Sequence, residues 1–175
     1  MEIIDLLQSD KWDEIVKSFH NYDVYYLSGY VKAFEVHGDG KPVLLYYTDE
    51  NGGRSLCVLI LRDVAKNALF TGKIPDGLYF DAVTPYGYGG FIFDGEVNTE
   101  TLALEFHQVL KDKHVNSVFF RFHPVLGNAK QNEDIVNVIP LGKTIAMDLF
   151  STDVIWENII SKNRNMIRKA EKSGV

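Results

Sequence analysis

At 175 residues and 46% hydrophobic, the chain can bury one sizeable core, and its 13% aromatic content argues against disorder. A formal charge of −6 excludes a surface built throughout to grip nucleic acid. A single cysteine, Cys57, excludes an internal disulfide and a thiolate zinc site, and makes a reducing compartment the default.

The N-terminal stretch MEIIDLLQSDKW is too acidic and too short in apolar run for a signal peptide. Ser9 or Asp10 can cap a short helix that carries Trp12, Ile15, Val16 and Phe19 on one face. Ser28 can cap a second, with Tyr30, Val31, Phe34 and Glu35, which Gly38-Asp39-Gly40 ends. Two β-rich runs, Val43–Thr48 and Ser55–Val64, flank Asn51-Gly52 and predict a hairpin. Cys57 falls mid-strand and reads as an inert core thiol. A third strand is expected near Leu78–Val83, then the loop Thr84-Pro-Tyr-Gly-Tyr-Gly-Gly90. Asn98 or Thr99 caps a helix with Leu102, Phe106, Val109 and Leu110 at helical spacing. Asn116–Phe122 reads as a strand ending at His123-Pro124, Gly127–Glu133 as a polar loop, and Thr144–Leu149 as a further strand. No apolar stretch approaches about 18 residues, so no membrane span is expected.

The chain closes on a helix expected to start at Ser151 or Thr152 and to end before Gly174. Trp156, Ile159, Ile160, Ile167 and Ala170 fall within about 100° of arc on an ideal helix. The bases Lys162, Arg164, Arg168, Lys169 and Lys172 fall on the other side. Against three acids they give Ser151–Val175 a charge of +2, leaving −8 on the first 150 residues. The basic face suits phosphates of RNA, a nucleotide or a lipid headgroup; equally, it suits a solvated face with cations near a helix C-terminus. The apolar side lacks a partner, so the helix is expected either to pair with another copy through residues 151–172 or to fold back on itself. Nothing supplies the strand that would follow, and the chain reads as stopping inside a larger fold.

Two further stretches carry candidate chemistry. In residues 84–90 the glycines let backbone N–H groups approach a ligand and the tyrosines offer flat faces and hydroxyls; packing of a tight turn is the alternative. The loop is neither a dinucleotide nor a phosphate-loop signature, because no helix follows at once and no Gly-Lys-Ser/Thr is present. In FFRFHPVLGN (119–128), Arg121 and His123 sit at a strand end, where open α/β sheets commonly build sites. Either they contact an anionic substrate group, or Arg121 pairs with an acid and His123 caps the turn. Asp81 and Asp148 are candidate bases at strand ends. The remaining histidines, His20, His37, His107 and His114, have no metal-ligand spacing, and no metal site is expected.

The order helix, helix, three strands, helix, strand resembles the GNAT acyltransferase core: an α/β mixed sheet with helices on both faces. Four segments together resemble the FemAB-type aminoacyl transferases, which have two tandem GNAT-like lobes. They are LSGYVKAFE (27–35), TPYGYGG (84–90), RFHP (121–124) and, most specific, NRNMIRKAEKSGV (163–175). The resemblance implies a first lobe over 1–142 and, over 143–175, the opening strand and basic helix of an incomplete second lobe. It implies an enzyme that, when intact, moves an aminoacyl group from aminoacyl-tRNA to a peptide amine of a peptidoglycan precursor, nucleotide- or lipid-linked. It implies a chain that is inactive alone, lying in the cytoplasm or peripherally at the inner face of the membrane. The precursor would meet Tyr86, Gly87, Tyr88, Gly89, Gly90, Arg121, His123, Lys32, Arg164 and Arg168; catalytic residues stay unassigned. No resident cofactor is implied. The alternatives are an acyl-CoA-dependent N-acyltransferase and a non-catalytic binding module. Glu96–Leu102 lacks the Gln/Arg-x-x-Gly-x-Gly/Ala loop with which a coenzyme-A-using lobe opens its central helix.

Overall fold

The computed structural model describes residues 1–175, which fall into two compact units, Met1–Pro140 and Leu141–Val175. In the first, β1 (Glu2–Asp5), α1 (Ser9–Lys17), α2 (Ser28–His37), β2 (Lys41–Thr48), β3 (Arg54–Asp63) and β4 (Phe80–Val83) follow in order. Then come β5 (Ile92–Asp94), α3 (Thr99–Asp112) and β6 (Val115–Phe119). The sheet order is β1-β2-β3-β4-β6, with β5 paired to the other end of β3. Every pairing is antiparallel except β4 with β6, which is parallel and linked through α3. The chain is thus an α/β domain with a mixed, mostly antiparallel sheet.

The β2–β3 hairpin forms where Asn-Gly predicts it. The Asp49 carboxylate accepts from the N–H groups of Asn51 and Gly53, both at 2.9 Å, while Gly52 turns the chain at φ +84°. The strands' unbroken apolar runs follow from burial on both sides. Successive side chains alternate faces, so Leu44, Leu56 and Val58 meet Trp12, Val16, Tyr26 and Val31 from α1, α2 and the turn before α2. Val43, Leu45, Tyr47, Cys57 and Leu59 face the other way, toward Leu102 and Phe106 of α3. Trp12 is fully buried, and its indole N–H donates to the Tyr26 carbonyl at 2.8 Å, so the ring fills the core without stranding its donor. Helix α2 ends at Gly38 (φ +94°), the left-handed position the sequence reserves for glycine.

Cys57 is fully buried, and burial pushes its thiol well above the usual range. A thiol–disulfide reagent is therefore expected to spare Cys57 in the native protein and to titrate one thiol in urea. Rapid reaction in the native state would show that the sheet opens at β3.

The second unit departs from expectation in two ways. Thr144–Leu149 is not a strand. Its alternation is right, but a strand needs a neighbour's N–H and C=O groups, and Leu141–Val175 contains no second extended element. The closing helix is two helices, α4 (Thr152–Asn158) and α5 (Ser161–Lys172). Ile159 and Ile160 adopt extended backbone (ψ 130° and 148°). Two adjacent β-branched residues followed by serine favour such a break. The break removes the single apolar face over Trp156, Ile159, Ile160, Ile167 and Ala170. Ser151 caps α4, its hydroxyl accepting from Val154 N–H at 3.2 Å. Gly174 (φ +78°) closes α5 as expected, with Val175 N–H bonded to the Ala170 carbonyl at 3.2 Å. No helix in the structure is long and apolar enough to cross a membrane.

Candidate functional site

Parallel strands β4 and β6 run out side by side, and the chain beyond them stays stitched. Thr84 N–H donates to the Phe119 carbonyl at 3.1 Å, Arg121 N–H to the Thr84 hydroxyl at 3.1 Å, and Gly89 N–H to the Arg121 carbonyl at 2.8 Å. The stitching brings the 84–90 loop against the 119–123 segment, the two stretches singled out from sequence.

The glycines serve close packing. At Gly87 (φ +107°) a Cβ would lie 2.2 Å from the Tyr25 ring, and at Gly90 (φ +99°) 2.7 Å from the Phe122 ring. The carbonyls of Tyr86, Gly89 and Gly90, and that of Phe91 after them, are taken by protein donors. Tyr30 Oη donates to Tyr86 at 2.8 Å, Asn128 Nδ2 to Gly89 at 3.0 Å and to Phe91 at 3.2 Å, and Tyr26 Oη to Gly90 at 3.2 Å. Asn132 holds Phe91 on both sides, accepting from its N–H and donating to its carbonyl, each at 3.0 Å. Of the loop amides, that of Gly89 at the strand junction bonds the Arg121 carbonyl. Asn128 and Asn132, both buried, are the residues sequence reasoning missed; Gly127-Asn128 and the i, i+4 spacing of the two asparagines were the available signals.

His123 is buried and used at both ring nitrogens. Nδ1 accepts from Val125 N–H (3.2 Å) and Leu126 N–H (3.1 Å), so Nε2 carries the proton and donates to Asp23 Oδ2 at 2.8 Å. Tyr25 and Tyr88 pack on the ring at 5.8 and 5.2 Å. The turn-capping alternative describes His123, and it has no free lone pair for substrate.

Beside the strand ends lies a cleft of about 490 Å³, lined by Phe34, Asp39, Ile60, Arg62, Val83, Thr84, Pro85, Tyr86, Phe119 and Arg121. Tyr86 is 75% exposed, and the Arg121 guanidinium stands 5.8 Å from its ring centre. Arg121 makes no ion pair. Arg62 is occupied: its Nε and Nη2 reach Asp81 at 2.9 and 2.6 Å, and this pairing holds the guanidinium pKa up. Asp81 is accordingly an ion-pair partner and no free base, and Asp148 accepts from Phe150 N–H at 2.9 Å.

Of the ten residues the sequence nominates, the cleft gathers Tyr86 and Arg121. Lys32 is paired with Glu35 on the surface of α2 and does not line it; nor do Gly87, Tyr88, Gly89, Gly90 and His123. Arg164 and Arg168 belong to the second unit, where both have local partners. Arg164 donates to the carbonyls of Trp156, Glu157 and Ile159 at 3.1, 3.1 and 2.7 Å, closing α4, and Arg168 stands 5.1 Å from the Trp156 ring centre.

The N-terminus of α3 does not fit a coenzyme A pyrophosphate. Asn98 already caps it, accepting from Thr101 N–H at 3.0 Å. Asp49 accepts from Asn98 N–H (3.2 Å), Asp134 from the Thr99 hydroxyl (3.3 Å), and Glu100 sits in the first turn. Three carboxylates at the positive end of a helix dipole occupy the place an anion would take. No cluster of His, Cys, Asp or Glu in the structure is arranged to hold a metal ion. No family model, curated protein or solved structure matches this chain.

Proposed function

We propose that residues 1–140 form a GNAT-like lobe that binds the acceptor in an aminoacyl transfer, the acceptor being a peptidoglycan precursor and the donor aminoacyl-tRNA. One observation carries the reading. In an otherwise antiparallel sheet, one parallel pair is joined through a helix, and the cleft at its C-terminal end holds an arginine free of any ion pair. The four-segment sequence resemblance supports it. So does the shortage of groups for chemistry: His123 is doubly bonded, Asp81 is paired and Cys57 is buried. The lobe binds and positions, and the transfer is completed elsewhere. The carboxylates around α3 disfavour the acyl-CoA alternative for this lobe.

Calorimetric titration with a uridine-diphosphate muramyl pentapeptide is expected to show saturable binding, weakened about tenfold by Arg121→Ala, the worth of one charge-assisted contact. Coenzyme A is expected not to bind. Absence of precursor binding at millimolar concentration, or binding of coenzyme A in its place, would sink the reading.

A further inference from the structure

The charges lining the cleft do not suit the diphosphate of a nucleotide-linked precursor, and leave only its peptide end to be bound there. Its walls carry Arg62, Arg121 and Asp39, and Arg62 is already neutralised by bidentate pairing with Asp81. Lys32, the nearest sequence candidate for a phosphate, is paired with Glu35 and lies outside the lining. What remains is one cation free of any ion pair, Arg121, and one carboxylate, Asp39, which pairs with the ring of His37 at 3.1 Å and lies within electrostatic reach of Arg62. A diphosphate would bring at least two negative charges to one guanidinium and face a carboxylate on the same wall. Apart from Thr84, the rest of the lining is aliphatic or aromatic: Ile60, Val83 and Pro85, with Phe34, Phe119 and Tyr86.

From this we infer that the cleft takes a small zwitterion with an aliphatic body, an apolar amino acid or dipeptide with both ends free. Its carboxylate bonds the Arg121 guanidinium, whose fork matches carboxylate geometry. Its ammonium is held by Asp39, and its side chains lie against the apolar lining. The volume of about 490 Å³ is at the scale of a small-molecule site. The inference stands on the cleft alone and does not rest on the transferase reading. An acceptor that presents a free amine and a free carboxylate satisfies both.

The test is a calorimetric titration of the full chain with leucyl-leucine, its N-acetyl form, its C-terminal amide and inorganic pyrophosphate. Leucyl-leucine is expected to bind saturably, and each blocked form about tenfold more weakly, since each loses one charge-assisted contact. Asp39→Asn is expected to abolish the penalty for acetylation alone, and Arg121→Gln the penalty for amidation alone. Both positions are exposed, so the variants keep the fold, which circular dichroism checks. Equal affinity for the free and blocked forms, tighter binding of pyrophosphate, or no saturable heat below about 10 mM overturns the inference. If leucyl-leucine fails and the muramyl precursor binds, the zwitterion site falls and the transferase reading stands. The opposite pair of results removes the transferase reading alone.

Discussion

Replacing Asn132 by alanine is expected to lower the unfolding free energy by roughly 3 kcal/mol, at one to three kcal/mol for each buried polar group left without a partner. Asn132 is wholly buried and makes three bonds, to Phe91 N–H, the Phe91 carbonyl and the Asn128 carbonyl, the last at 2.8 Å. The three losses are unequal. The Phe91 carbonyl keeps Asn128 Nδ2 at 3.2 Å, whereas Phe91 N–H has no second acceptor. Burial forbids easy repair by water, so the penalty falls on that amide and on the Asn128 carbonyl, whose one donor is Asn132 Nδ2. Asn132→Asp sharpens the test. It keeps an acceptor for Phe91 N–H but loses both donations and buries a charge, so it is expected to be at least as damaging. Urea denaturation of the three proteins measures this. A loss below about 1 kcal/mol in Asn132→Ala would show that the loop is held by packing and not by this network.

The asparagines also show where sequence reasoning stops. Helices α1, α2 and α3 and the β2–β3 hairpin were legible because their signals are local: an apolar face at helical period, a capping residue, a glycine at the left-handed exit, an Asn-Gly turn. β1 and β5, four and three residues long, went unread because nothing in so few residues makes a strand. The ladders of β2 and β3 make them strands. Thr144–Leu149 is the converse case, a good strand pattern with no ladder to join. Asn128 and Asn132 sit in a run that reads as polar loop, since a sequence gives a buried, fully bonded amide the same letter as a solvated one. Tyr86 and Arg121 stood among the ten nominated residues, with nothing in the sequence to set these two apart from the other eight. Which of Arg62 and Arg121 remains free depends on Asp81, nineteen positions away from Arg62 and opposite it only through the β3–β4 register.

Gly87→Ala is the sharpest probe of why the loop is rich in glycine, and it is expected to cost roughly 3 kcal/mol or more, a backbone penalty plus steric overlap. The backbone share is about 1–2 kcal/mol for an L-residue at positive φ. The remainder is Tyr25. The new methyl would sit 2.2 Å from Tyr25 Cε1 and 2.6 Å from Cδ1. The ring cannot simply turn away, because it is edge-packed on Tyr30 at 5.3 Å and on Tyr88 at 5.7 Å and lies 5.8 Å from His123. Relief must come from the loop, which would pull the Tyr86 carbonyl off Tyr30 and carry the Tyr86 ring away from Arg121. Gly127→Ala is the control. It also has positive φ (+64°), but an added Cβ there meets nothing within 4 Å, so only the backbone share of about 1 kcal/mol is expected. The difference between the two variants isolates the contact with Tyr25. Were the two losses equal, the glycine would not be there to admit that ring, and the reading of the loop as backbone kept clear for a ligand would regain its force.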